Sequence, residues 1–439
     1  MDPLLIALIG TVLMIVLIAL GVPIAFAMGV SGFTGIIMMG GFPTLEYIAG
    51  HYPADRIMTY AFTALVLFIL MGQLTFASGT AEDAYSLAYK WLSRLPGGLV
   101  LVTIAGCGVF AAATGSSVAE VAAMGRVALP EMKRYGYDTR LATGSVAAGS
   151  TVGILIPPSS SLVLYGILTY EPIGMLFIAG ILPGIVSVLL DMSMVFIRCI
   201  RNPKLAPLPE IQVSWKDRLI SLSKAWGIIV LFVIVIGGLY TGVATPTEVG
   251  ALGSLAALIM VFLGIARGRT NWGVFKGLIA ETVKVQAMVF AFIIGAGLYG
   301  LMVTMSGALP AVVEFVTNLQ APPIVIFSVV ALCYIPLGMF LDPVAMLVVT
   351  LPFSYPIVVS GLGFNGLWFG IILVKLIELS MITPPMAINI YVLKSQFPEY
   401  KLGDIIHGCW WFMIMEAITI AILVAFPQIT LWLPNTIGF

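Results

Sequence analysis

Charge is what this chain has least of. Asp, Glu, Lys and Arg make up 9% of its 439 residues, against about 25% in an ordinary soluble domain. So few charges cannot wet the surface of a water-soluble protein of this length, which excludes a soluble enzyme. The 20 Lys and Arg are matched by 20 Asp and Glu, so there is no basic face for nucleic acid. Histidine is limited to His51 and His407. The four cysteines, Cys107, Cys199, Cys333 and Cys409, lie far apart in apolar stretches with no CxxC. They read as small buried hydrophobes and not as metal ligands or a redox pair. No GxxxxGK[ST] occurs, so the chain has no P-loop for ATP. The first twenty residues lack a basic start, and the apolar pattern runs on past Pro23, as in a retained first span and not a cleaved leader.

What is present is apolar: 60% of the residues. About 20 apolar residues cross a bilayer, so the chain is read as an all-α, polytopic membrane protein in lipid. Basic residues favour the cytoplasmic ends of short loops. Eighteen of the 20 fall into five connections, at 90–94, 126–140, 198–224, 267–284 and 394–401. Lys375 sits inside a span, and Arg56 alone falls on the opposite side. Loops 306–323 and 353–366 carry no Lys or Arg and are placed outside. Ten spans follow, near 4–20, 24–40, 57–75, 141–169, 175–197, 225–240, 245–265, 285–305, 365–393 and 406–427. Both termini are placed outside, in the periplasm.

Residues 98–130 and 324–352 must begin and end on one side, as re-entrant hairpins. Five spans and one hairpin on each side of a basic linker give two repeats, 1–198 and 225–439, joined by a cytoplasmic segment, 199–224, with a short amphipathic helix. Five is odd, so the repeats are inverted. Sequence echoes agree: Gly21-Val22, Gly29 and Gly32 recur 221 positions later as Gly242-Val243, Gly250 and Gly253. Cys107 recurs as Cys333, and Pro157-Pro158 as Pro384-Pro385. Inverted repeats are a mark of secondary transporters.

Non-helical backbone survives at membrane depth only inside protein or along a cavity. Four such interruptions appear. Thr114-Gly115-Ser116-Ser117-Val118-Ala119-Glu120 forms the tip of hairpin one, with Ser117 and Glu120 read as a capping box. Gly338-Met339-Phe340-Leu341-Asp342-Pro343 forms the tip of hairpin two, with Asp342 as N-cap. Gly149-Ser150-Thr151-Val152-Gly153, running through Pro157-Pro158 to Ser161, breaks span 141–169. Ser380-Met381-Ile382-Thr383-Pro384-Pro385-Met386, running on to Asn389, breaks span 365–393. Freed carbonyls and hydroxyls suit a bare monovalent cation, and half-helix N-termini attract anions. A packed kink would use the same residues. Lys375 and Glu378 are three apart on one helix face and read as a mutual ion pair supporting the break. Asp191 and Glu416 are placed near interfaces or subunit contacts. With no buried histidine or clustered carboxylates in view, an intramembrane enzyme lacks a catalytic constellation.

The stretch ATGSSVAEVAAMGRVALPEMKRYGYDTRLATGSVAAGSTVGILIPPSSSLVLYG, with GVATPTEVGALG, PLGMFLDPVAMLVVTLP and ITPPMAINIYVLK, resembles the large membrane subunit of tripartite ATP-independent periplasmic (TRAP) transporters. The resemblance covers essentially the whole chain. It implies a sodium-coupled elevator of the bacterial inner membrane, with no cofactor beyond Na+. It also implies a small four-helix membrane subunit, here a separate chain, a periplasmic substrate-binding protein, and a small organic acid as cargo. It places one sodium site at Gly115, Ser116 and Ser117 with Gly149, Ser150, Thr151 and Gly153, beside Pro157. It places the other at Gly338 and Asp342 with Thr383, Pro384 and Met386. Glu120, Lys375 and Glu378 are supporting charges. A stand-alone sodium/anion symporter of the same fold is the alternative.

Overall fold

The computed structural model describes residues 2–208, 214–319, 321–385 and 387–436. Among them there is no strand. The first half contains α1 (Pro3–Ala19), α2 (Ile24–Ile57), α3 (Ala61–Ala77), α4 (Thr80–Leu92), α5 (Gly98–Thr114), α6 (Ser117–Arg134), α7 (Thr139–Gly149), α8 (Ser160–Thr169) and α9 (Ile173–Arg201). After α10 (Trp215–Lys224) the second half contains α11 (Trp226–Tyr240), α12 (Pro246–Ala266), α13 (Trp272–Met305), α14 (Ala308–Asn318), α15 (Pro323–Gly338), α16 (Pro343–Tyr355), α17 (Gly366–Ile382), α18 (Ile388–Gln396), α19 (Leu402–Ala425) and α20 (Gln428–Thr436). By length and apolarity six helices can each cross a bilayer, or up to eight if bent pairs are counted as single spans.

The element order repeats in detail. The α3–α4 bend falls at Ser78-Gly79, and the α13–α14 bend at Ser306-Gly307, 228 positions later. Gly79 and Gly307 have φ of 80° and 68°, a left-handed conformation that glycine adopts without strain. In both bends the serine hydroxyl donates back to the carbonyl three residues earlier, at 2.7 Å. Asp138 caps α7 by accepting from Leu141 N, and Asn365 caps α17 by accepting from Trp368 N, 227 positions later.

Packing pairs the halves crosswise. α2 lies along α13, and α3 lies along α12. The echoed glycines explain how. A Cβ on Gly32 would lie 2.6–2.7 Å from the backbone of Leu298 and Tyr299. A Cβ on Gly295 would lie closer still to the Ala25 carbonyl oxygen. Lipid offers no hydrophobic drive for helices to associate, so small residues that admit backbone contact hold such pairs together. Gly253 takes the matching place on α12, against the Met71 side chain of α3. In the other bundle α7 packs on α19 through Gly144 and Gly408, and their first turns are joined by an Arg140–Asp404 ion pair of 3.0 Å. α17, set among α9, α15 and α19, is buried at every position except Leu367.

Several expectations need correction. The span expected at 24–40 ends where expected, since Gly41 (φ 76°, ψ −179°) is non-helical, but a second helical segment follows it to Ile57. The basic connection expected at 267–284 is short, because α13 starts at Trp272 on an Asn271 cap and carries Lys276 and Lys284 on the helix. The expected outer loop 306–323 contains α14, and much of 353–366 is helical, since α16 continues as a π-turn to Gly361. Cys333 is exposed, while the other three cysteines are buried. The short amphipathic helix expected in the linker is present as α10. It has a complete Ser214/Asp217 capping box and packs on α4, with Trp215 edge-on to Trp91.

A Gly32→Val change forces branched carbon into the Leu298 backbone. Overpacking of this kind costs about 1–3 kcal/mol. Thermal unfolding of the detergent-solubilised chain is expected to shift down accordingly, while Gly300→Val, where a Cβ meets nothing within 4 Å, leaves it nearly unchanged.

Candidate functional site

The site is built where hairpin tips meet broken helices. Hairpin one turns at Gly115 (φ 61°), between α5 and α6. The cap of α6 is Ser116, which accepts from Ala119 N at 3.5 Å. Ser117, read from sequence as the cap, is one residue further along and buried. Its hydroxyl instead accepts a 2.7 Å hydrogen bond from the Asn389 amide. Glu120 is likewise not the partner in a capping box: its carboxyl accepts from Thr114 Oγ1 at 2.9 Å and leaves Oε2 without a partner. It lies against Gly153, where a Cβ would run into the carboxyl group.

The helix after hairpin one breaks as expected. α7 ends at Gly149, a 3₁₀ turn covers Ser150–Ile154, and α8 starts only at Ser160. The Pro157–Pro158 bond, in the cis form, lies in the gap. Ser159 caps α8 by accepting from Leu162 N at 3.2 Å, and its hydroxyl donates to Ile154 O. Ser160 donates to the Gly115 carbonyl at 3.2 Å, which pins tip one to this break. The hydroxyls of Ser150 and Thr151 donate to Val146 O and Ala148 O, at 2.7 Å each, leaving their oxygens free to accept.

The second pair is arranged alike. α15 ends at Gly338, against the Ser380 side chain. Asp342 caps α16 as expected, accepting from Val344 N and Ala345 N at 2.9 and 3.0 Å. α17 stops at Ile382, where Thr383 donates to Leu379 O at 2.6 Å. A cis Pro384–Pro385 bond follows, and α18 resumes at Ile388. Met386 lies outside the described residues.

The two pairs interlock. α18 packs on α6, and α16 packs on α8. Asn389 of the second break donates both to Ser117 of hairpin one and, at 2.9 Å, to Ala147 O before the first break. It closes the interrupted stretch read from the sequence but was given no role there; its signal was a lone amide shortly after a Pro-Pro break in an apolar stretch.

A cavity of about 120 Å³ lies where tip one meets α3 and α13. Thr114, Gly115, Ser116, Pro158 and Ser160 line its polar side, and Gln73 of α3 faces them; Val344 is the contribution of hairpin two. Gly338, Asp342, Thr383 and Pro384 are not part of this lining. A wider cavity of about 860 Å³ lies between the α2–α3 turn, the α8–α9 turn and α16, with Arg56, Tyr52, Glu171 and Tyr355 on its wall. Tyr355 donates to Glu171 at 2.7 Å, and the Arg56 guanidinium sits 4.8 Å from the centre of the Tyr52 ring.

The buried charges differ from expectation. Lys375 does pair with Glu378, but it also pairs with Glu416 and donates to Ser187 at 2.9 Å. Glu416 and Asp191, expected near interfaces, are both buried. They sit on α19 and α9, which pack against α17, whose full enclosure draws their carboxyls inward with those of Glu378. The expectation of no clustered buried carboxylates therefore fails.

Interlocked half-helices, with tip one closing on a small cavity, are the build of a membrane transporter. The sequence profile of the tripartite ATP-independent periplasmic transporter DctM component matches residues 11–429, and the chain belongs to this family. It is 33% identical to the C4-dicarboxylate TRAP transporter large permease protein DctM of Pseudomonas aeruginosa, over 72% of each chain. It is 30% identical to the isethionate TRAP transporter permease protein DctMQ of Oleidesulfovibrio alaskensis, over 81% of this chain but only 55% of that longer protein. The crystal structure of the Alcanivorax borkumensis YdaH transporter, reported to have an unusual topology, matches at a TM-score of 0.64 and 15% identity over 90% of both chains. That likeness concerns the fold.

Replacing Asn389 with Ala leaves the Ser117 hydroxyl and the Ala147 carbonyl without this donor. Leaving a buried polar group unsatisfied costs about 1–3 kcal/mol. The melting temperature of Asn389→Ala is expected to drop to match, with Asn389→Asp no better, because a carboxylate cannot donate to either group.

Proposed function

We propose that this chain is the substrate-translocating large permease subunit of a sodium-driven, binding-protein-dependent importer of a small organic acid. The observation that carries this reading is the paired arrangement of hairpin tip and broken helix in a chain of the DctM family. A transporter needs oxygen ligands for a cation and positive helix ends for an anion, side by side and away from lipid. In this proposal Gly115, Ser116 and Ser117 work with Gly149, Ser150, Thr151, Gly153 and Pro157 around one sodium ion. Gly338 and Asp342 work with Thr383, Pro384 and Met386 around the other. Glu120 adds negative potential beside Gly153.

The two halves, 1–198 and 225–439, insert in opposite orientations about the 199–224 linker, with both termini in the periplasm. The hairpins and broken helices move as one body against α2, α3, α12 and α13. The wide cavity bearing Arg56 then faces the periplasm, where a cation helps to receive an anion handed over by a soluble binding protein. A small four-helix membrane subunit completes the complex in the inner membrane. The relatives' names carry C4-dicarboxylates and isethionate. Both are small organic anions, and the class is carried over on that basis.

Uptake into proteoliposomes tests this. With the small subunit and the binding protein present, an inward sodium gradient is expected to drive accumulation, and ATP to have no effect. Ser117→Ala and Thr383→Ala are expected to raise the sodium concentration needed for half-maximal uptake several-fold. Uptake by this chain alone, with no binding protein, would mean a stand-alone symporter instead. An unchanged sodium response in both variants would remove the ligand assignment.

A further inference from the structure

A second ion-handling centre lies away from the hairpin tips. Lys375 of α17 is fully buried and paired with Glu378 of the same helix and Glu416 of α19. Ser187 of α9 links the group: it accepts from Lys375 at 2.9 Å and donates to Glu416 Oε1 at 3.2 Å. One turn further along α9, Asp191 is 1% exposed, and neither of its carboxyl oxygens has a hydrogen-bond partner. The charges acting on it are those of Glu416, Lys375 and Glu378. Glu378 Oε1 also lacks a partner.

One ammonium thus faces three carboxyl groups in a dry interior. Two ion pairs engage the lysine, and Asp191 is left over. An isolated carboxylate is not retained in such surroundings without a compensating positive charge. The neighbouring elements supply none. α7 brings Arg140, which is committed to Asp404 at the exposed end of the helix. α8 brings Tyr165, which donates to Gly366 O. α15 brings Tyr334, which donates to Ser354. α5 brings Cys107, which lies near Ser150. Hairpin one adds Glu120, a further acid whose surroundings include the charge of Glu378. Among the described residues no three His, Cys, Asp or Glu side chains converge closely enough to hold a metal ion among them, which argues against sodium as well as a divalent ion held by these carboxylates.

We infer that the Asp191, Glu378 and Glu416 carboxyls around Lys375 form a proton-binding site. The site is distinct from those proposed at the hairpin tips. It bridges α9, α17 and α19, and α17 is the helix that leads into the second break. Nothing in this inference depends on the tip residues acting as sodium ligands.

The test uses the purified full-length chain. Infrared difference spectra of wild type against Asp191→Asn and against Glu416→Gln, recorded in sodium-free choline buffer near neutral pH, report a protonated carboxyl as a C=O stretching band that shifts in D2O. Melting curves in sodium chloride against choline chloride report sodium. A carboxylic acid band of about one group per chain is expected in wild type and absent from either variant. Two variants guard against one failing to fold, and loss of the tip sites would leave this signature in place. No carboxylic acid band in either difference spectrum overturns the inference, and a sodium stabilisation reduced in both variants would then put sodium in place of the proton.

Discussion

Everything in this structure follows from the intolerance of lipid for an unpaired peptide group. A broken helix leaves N–H and C=O groups open, and each open group at membrane depth costs several kcal/mol unless protein or an ion meets it. This chain breaks two helices, at 150–159 and at 383–387, and sets a hairpin tip against each break. Ser160 bonded to Gly115 and Gly338 packed on Ser380 are the contacts that make the breaks tolerable. The same geometry gathers hydroxyl and carbonyl oxygens at the breaks. A fold that hides polar backbone from lipid is therefore well suited to receive ions.

The surrounding helices serve that arrangement in two ways. α2 and α13 make glycine-mediated, backbone-close contact, and the glycines of α12 receive side chains of α3. The small cavity lies between these helices and tip one. α17 does the opposite work at the centre of the other bundle. Enclosed along its length, it can carry Lys375 and Glu378 because α9 and α19 turn Ser187, Asp191 and Glu416 toward them. Asn389 then ties the second break to the first hairpin, so the two halves of the site cannot shift independently without breaking buried hydrogen bonds.

Much of this was legible in the sequence, and the reasons differ by element. The breaks were readable because Pro-Pro, Gly and Ser inside an apolar run have few other uses. The Asp342 cap was readable because Asp before Pro is a strong helix start. The sequence echo showed in the glycines at 32, 250 and 253, since close helix contact restricts those positions to small residues. What was missed depended on tertiary contacts. Ser116 and Ser117 are chemically equivalent as caps, and only the approach of Asn389 decides which one faces inward. Asp191 and Glu416 stand alone in their own helices, and their convergence on Lys375 requires knowing that α9, α17 and α19 are neighbours. The helical segment that follows Gly41 was not expected, although Pro43 in its first turn, where a missing N–H is harmless, permits it.

The central claim is that the hairpin tips and the two breaks are the place where ions organise the protein. Amide hydrogen exchange, followed residue by residue in sodium against choline, addresses it most directly. The account predicts slower exchange in sodium at 115–120, 150–160, 338–345 and 383–389, with α2 and α13 unchanged. Equal exchange in the two salts across all four segments would contradict it.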